Sequence, residues 1–256
     1  MPRPQVTSCT LLITALVVVG SSASCDSANT GGIDLGTDPT VDLGPLPVNT
    51  PLPGNPDGKC AIPSDAQAEI TTTPNNIIGT GTPESCTSDA VVSAVAKGGI
   101  ITFNCGPNPV TITMTQTAKI FNDRGPKIVL DGGGKVTLSG GGKVRILYQN
   151  TCDQAQKWTT AHCNDQDHPQ LTVQNLTFID GNAKGLTPGG GGAVFASGGR
   201  FKVVNSRFFR NVVDDTGPDV GGAAIRTLNQ SMGLPVYVVN STFGGESGLG
   251  NSGANG

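Results

Sequence analysis

Charge is scarce in this chain of 256 residues: 14% of positions are Asp, Glu, Lys or Arg, and the net charge is -3. The Lys and Arg residues stand singly, so no basic patch is built of the kind that neutralises a phosphate backbone. Aromatics make up 4% of the chain, with a single Trp, and the long Glu/Lys/Leu/Ala stretches of a helix-rich protein are missing. No two cysteines stand in C-x-x-C spacing, which removes the usual sequence sign of a structural zinc site. What is plentiful is Gly (37) and Pro (18), a balance that suits short strands punctuated by turns.

The N-terminus reads as an export signal over residues 1–24. Arg3 precedes the apolar run LLITALVVVG, which is too short to span a bilayer, and the small residues SSAS follow before Cys25. Two readings of the cut share the bond after Ser24. Signal peptidase accepts small residues at Ser22 and Ser24, which makes Cys25 the first residue of a secreted protein. SSASC also resembles a bacterial lipobox, although Ser22 stands where an aliphatic residue is usual, and Cys25 would then carry the lipid. Residues 25–58 are rich in Gly, Pro, Asp and Thr without any helical or strand period, the composition of a flexible tether. The chain is thus divided into a signal (1–24), a tether (25–58) and a folded domain (59–256).

Export places the later cysteines in an oxidising compartment. Cys86 and Cys105 bracket one segment, and Cys152 and Cys163 bracket a polar insertion, so these pairings are expected with Cys60 left over; four cysteines allow three connectivities. One helix is expected after Cys86, capped by Ser88, with AVVSAVA as its apolar face and Gly98-Gly99 at its end. From there the pattern changes to strand period in IITFN, VTITMTQT, KIVLDG and KVTLSG.

LTVQNLTFIDGN, FKVVNSRFFRN and VYVVNSTFGG then align without gaps. Asn175, Asn205 and Asn240 recur 30 and then 35 residues apart, with Val173, Val203 and Val238 in one column and Phe178, Phe208 and Phe243 in another. A period of this size in strand-forming sequence predicts stacked repeats of a solenoid. Alternation sends Leu171, Val173, Phe201, Val203, Val236 and Val238 inward. It leaves Thr172, Gln174, Lys202, Val204, Tyr237 and Val239 outward. Asn at each corner tolerates the dihedrals of a bend.

The pattern resembles the right-handed parallel β-helix of the pectate-lyase-like superfamily, including a short capping helix before the first coil. Gly191-Gly192-Ala193-Val194 with Phe208-Phe209-Arg210-Asn211 further resembles the GGA-aliphatic and F-x-x-N repeats of polymorphic outer-membrane proteins; the next copy departs from it, with GGAA before Ile225 and no Asn after Phe243-Gly244-Gly245. The resemblance implies an all-β class. Because each Phe is followed by a spacer and then Gly-Gly-Ala, and the sequence stops after GGESGLGNSGANG, further C-terminal coils or a capping partner are expected to cover the last repeat.

Resemblance to pectate lyases would imply converging carboxylates for Ca²⁺ and a basic proton acceptor, and pectin-hydrolysing relatives would need paired carboxylates. None of the outward positions read above is a carboxylate, and Asp214-Asp215 stand in a loop, so no catalytic or metal residues are assigned. The insertion TCDQAQKWTTAHCNDQDHPQ is the richer stretch. Tyr148, Trp158 and His162, with Arg207 and Arg210, are the candidate ligand-binding residues, the aromatics for stacking on a sugar and the arginines for an acidic group. The expected function is an exported, lipid-anchored surface protein that binds polysaccharide or a cell surface, adhesin-like and without a cofactor. The alternative is a polysaccharide lyase or glycoside hydrolase, Ca²⁺-dependent if a lyase, whose site lies in coils outside this chain. A third is a structural spacer. Nucleic acid is not an expected partner, and the membrane is reached only through the N-terminal lipid.

Overall fold

A hydroxyl cap, a buried face of Val91, Ala94 and Val95 and a glycine stop give the chain its one α-helix among the described residues, α1 (Ser88–Lys97). The structure is a computed structural model and describes residues 44, 46, 50–55, 57–157, 160–218 and 220–254. The expected signal, Cys25 and Trp158 therefore lie outside the described residues. The cap of α1 is Thr87, one position before the expected Ser88: its side chain accepts a hydrogen bond from Ala90 N at 3.2 Å. Ser88 turns inward instead and accepts from Thr115 N at 3.0 Å. Gly98 ends the helix with φ +74°, where an L-residue would be strained.

Thirteen strands accompany this helix among the described residues, and every pairing is parallel. One sheet runs β1 (Asn76–Ile78), β2 (Gly99–Phe103), β5 (Lys127–Ser139), β7 (Gln170–Ile179), β10 (Arg207–Phe209) and β13 (Thr242–Phe243). Joined to it, β3 (Val110–Thr113) pairs with β5, β9 (Arg200–Val204) with β7, and β12 (Tyr237–Val239) with β9. The other sheet runs β4 (Ala118–Ile120), β6 (Leu147–Asn150), β8 (Val194–Ser197) and β11 (Ile225–Leu228). KIVLDG and KVTLSG form the single long strand β5, with a register shift between Asp131 and Val136 where three glycines stand.

The register converts the sequence columns into packing. Ile101, Leu130, Val173, Val203 and Val238 are successive partners, as are Ile112, Leu138, Phe178, Phe208 and Phe243. The rings of Phe178 and Phe208 stack at 5.0 Å, and those of Phe208 and Phe243 at 4.7 Å. One buried cluster gathers Leu130, Val173 and Phe208 from the first sheet with Ile120, Leu147 and Val194 from the second. At the corners Asn175, Asn205 and Asn240 take φ between +45° and +53°. Asn240 Nδ2 donates to Asn205 Oδ1 at 2.8 Å, and Asn205 Nδ2 to Asn175 Oδ1 at 3.2 Å. Asn is the side chain that tolerates this backbone and can hand a hydrogen bond to its neighbour.

The expected all-β, right-handed parallel β-helix is corrected by these findings. The described residues are 11% helical and 33% strand and form two separate parallel sheets with one helix, which is a mixed class with no closed sheet among them. The 30-residue repeat sets the register of β7 and β9 in the first sheet, whereas in the second Val194 pairs with Ile225, 31 residues on; among the described residues no ladder joins one sheet to the other.

Two disulfides close as the spacing suggested. Cys86 and Cys105, with Cα atoms 5.7 Å apart, tie the start of α1 to the end of β2, and Cys152–Cys163, at 5.0 Å, pins the polar insertion. Cys60 is exposed and unbridged.

Part of the Gly/Pro-rich segment is engaged with the sheets. Thr242 Oγ1 donates to Leu52 O at 2.6 Å and accepts from Gly54 N at 2.8 Å, while Leu46 packs on Ile179, Phe209 and Leu249. Contact with the fold thus begins before residue 59.

A candidate ligand-binding cleft

The residues singled out for ligand binding stand on separate elements. Tyr148, on β6, is buried (7% exposed), and its ring stacks on Phe195 at 5.5 Å. Its hydroxyl donates to Asp153 Oδ2 at 3.1 Å and accepts from Asn150 Nδ2 at 3.0 Å, and burial pushes its pKa up. The Arg145 guanidinium lies over both rings, 5.4 Å from Tyr148 and 5.0 Å from Phe195. Burial lowers the Arg145 pKa to about 10, and its donors go to the carbonyls of Pro188, Gly190 and Gly191. Tyr148 is thus a packing residue beneath a buried cation.

His162 is exposed in the disulfide-pinned loop. Arg207 donates from Nε to Thr177 Oγ1 at 3.0 Å. Arg210 forms a forked pair with Asp180, at 2.7 and 2.8 Å, and donates to Gly44 O at 3.3 Å. Burial raises the Asp180 pKa by more than the Arg210 charge and hydrogen bonds lower it. Both arginines are committed to the sheet and to the residues before 59. Asp214 and Asp215 are committed likewise: Asp214 accepts from Gly185 N at 2.9 Å, and Asp215 pairs with Lys184 at 2.8 Å.

Residues 64–70 make a cleft of about 400 Å³ where they cross the first sheet. The strands supply its floor in register. Lys127, Gln170 and Arg200 are successive partners on β5, β7 and β9, and Thr172, Lys202 and Tyr237 are partners on β7, β9 and β12. Leu234 and Pro235 line it beside Tyr237.

One lysine organises the crossing segment. The Lys202 ammonium, 12% exposed as a side chain, donates to Asp65 O at 3.1 Å, Gln67 O at 2.7 Å and Glu69 Oε1 at 2.8 Å. All three of its protons are placed. The other Glu69 oxygen pairs with Lys127 at 2.8 Å. Burial pushes the Glu69 carboxyl up, but the hydrogen bonds and charges of the two lysines outweigh it and hold the pKa below the usual carboxylate value. Glu69 is therefore an anion at neutral pH and a poor proton donor.

Beside it Asp131 accepts from Thr71 Oγ1 at 2.7 Å, and from Gly133 N, Gln174 Nε2 and Asn175 Nδ2 at 2.9 Å each. Here too burial raises the pKa and the hydrogen bonds more than cancel it, so Asp131 is also held low. Gln174 completes the seam by accepting from Glu69 N at 2.8 Å and donating to Glu69 O at 3.0 Å.

The outward face is thus not free of carboxylates, as the alternation implied. Asp131 stands in the same column as Gln174, and Glu69 arrives from outside the sheet. Nor is it uniformly exposed: Thr172, Gln174 and Val204 are 4%, 2% and 4% exposed. The groups left open to a ligand are the part-exposed Tyr237, with Lys127 and Arg200, whose side chains are 59% and 46% exposed. Arg200 Nε also pairs with Asp167 of the polar insertion. Among the described residues no group of three or more His, Cys, Asp or Glu is placed to hold a metal ion.

The signal that could have located this cleft was half visible. Lys202 and Tyr237 stand in one outward column of the sequence, but residues 64–70 carry no period, so nothing in them pointed to the sheet face. No family model, curated protein or solved structure matches this chain.

Proposed function

We propose that this is an exported surface protein, anchored through a lipid on Cys25, that binds polysaccharide without cleaving it at the cleft between residues 64–70 and the first sheet. The observation that carries the reading is the grouping of Tyr237 with Lys127 and Arg200 along one groove, an aromatic face beside two reachable cations. Sugars are held by ring stacking plus hydrogen bonds at their hydroxyl or acid groups, and this groove offers both. The two carboxylates described beside it, Glu69 and Asp131, are held ionised and fully hydrogen-bonded, which suits positioning better than proton transfer. Two disulfides support passage into an oxidising compartment.

The test is retention of the chain from residue 25 on immobilised acidic and neutral polysaccharides, with release of reducing or unsaturated ends followed in parallel. Retention without cleavage is expected. Tyr237→Ala should weaken it about tenfold, the scale of one lost stacking contact. Cleaved ends, or retention indifferent to Tyr237→Ala and Arg200→Ala together, would overturn the reading.

A further inference from the structure

Among the described residues, every hydrogen bond made by the Lys127 and Lys202 ammoniums goes to the segment that crosses the sheet. Lys202 donates to Asp65 O, Gln67 O and Glu69 Oε1, and Lys127 donates to Glu69 Oε2. The segment is held by little else. Of residues 64–70 only Ala66 is buried, Ile70 is 80% exposed, and the remaining hydrogen bonds to the sheet are the two between the Glu69 backbone and Gln174. A segment fixed by polar contacts, with few buried apolar groups, sits at the low end of local stability.

The acceptors that the segment offers form a particular set. One carboxylate bridges Lys127 and Lys202 across the intervening β7, and two neutral carbonyl oxygens complete the Lys202 ammonium. A uronic acid residue carries the same set on one ring, an acid group beside hydroxyl oxygens. A neutral sugar carries only the hydroxyls and would leave both lysines without a charge partner.

We propose that residues 65–69 are a built-in stand-in for the ligand, with the Glu69 carboxylate in the subsite for the acid group of a uronate-containing polysaccharide. The proposal rests on the reading of the cleft as a polysaccharide site and narrows it to an acidic one. The incoming uronate takes over Lys127 and Lys202, and the segment lifts from β7 and β9. Glu69 is tethered, so its effective concentration at the lysines is high and a single free uronic acid competes poorly. A polymer competes because Tyr237 and Arg200 line the same cleft and hold its neighbouring sugars. The cleft therefore answers acidic chains and ignores their monomers.

The test compares the chain from residue 25 with its Glu69→Gln variant on a short oligouronate, on the same oligomer with its carboxyls reduced to alcohols, and on oligoglutamate. The variant should bind the oligouronate about tenfold more tightly, and Lys202→Met added to it should erase the gain. In the unmodified chain, saturating oligouronate should speed hydrogen exchange at the Glu69 amide, whose bond to Gln174 breaks when the segment lifts. Glu69→Asp keeps the charge and shortens the reach; it should give a smaller gain, and it takes the place of the Gln variant if that does not fold. Equal or weaker oligouronate binding by the variant, an equal gain for the reduced oligomer, or a Glu69 amide that stays protected would overturn the proposal. Tighter binding of oligoglutamate than of oligouronate would overturn it too, and assign the subsite to an acidic peptide. If the unmodified chain retains polysaccharide but Glu69→Gln changes nothing, the Glu69 assignment falls alone. If neither protein binds any oligomer or polysaccharide, the reading of the cleft falls with it.

Discussion

The two ends of the stacked sheets are built from similar side chains and closed by different means. At the β1 and β4 end, Val91, Ala94 and Val95 of α1 are 0%, 6% and 2% exposed, and a disulfide ties the helix to β2. At the β12 and β13 end no helix lies over the column: Leu52 and Gly54 reach Thr242, and Val238 and Phe243 stay 48% and 43% exposed. Their equivalents Val203 and Phe208 show that this is a matter of neighbours, not of residue type. A strand layer buries its apolar column only against another layer, and a helix can substitute once because its side chains fill the same space without needing in-register hydrogen bonds.

The comparison is sharpest in the phenylalanine column. Phe208→Ala removes a fully buried ring stacked on both sides and should cost about 3–5 kcal/mol in urea unfolding. Phe243→Ala should cost well under half of that, since one face is already wet. Equal costs would show that the open end is covered in solution.

At the other end the expected effect is smaller. Thr87→Ala strips the cap of α1 and should lower stability by about 1 kcal/mol, with Thr87→Ser restoring it. A null result there would mean that the disulfide alone holds the helix in place.

Smallest at neutral pH is the acid dependence. Asp131 and Glu69 have folded pKa values below their unfolded ones, so the stability they contribute is complete above the unfolded carboxylate range and is lost as pH falls through the folded values. Asp180 runs the other way: its raised pKa means that its ionisation weakens the fold as pH rises past the unfolded value. The urea midpoint should therefore drop on acidification below about pH 4. Asp131→Asn should flatten that limb, and an unchanged slope would remove Asp131 from the account.

What could be seen in the sequence follows from which residues obey a period. The Val, Phe and Asn columns were legible because stacking repeats the same demand every layer, and their register in the structure is the aligned one. Helix α1 was legible too, but its start was misplaced by one residue because Thr87 and Ser88 are both able caps. The class was not legible: alternation and period reported strands within a sheet, and neither could say that the two sheets stay separate. The burial of Tyr148 was hidden for a related reason, since a strand pattern does not reveal that Arg145 roofs its outer face. The cleft escaped because half of it comes from residues 64–70, whose place on the sheet is set by hydrogen bonds across long sequence distances.

Those distances bear on the order of assembly. The hydrogen bonds from Lys202 to Asp65, Gln67 and Glu69 bridge 133 to 137 residues of chain, and those between Gln174 and Glu69 bridge 105. Contacts of such separation close only after the intervening chain has paid its entropy. Residues 64–70 find their anchors only where β9 is paired with β7, so an intact groove is a local report that the sheet has been completed as far as β9.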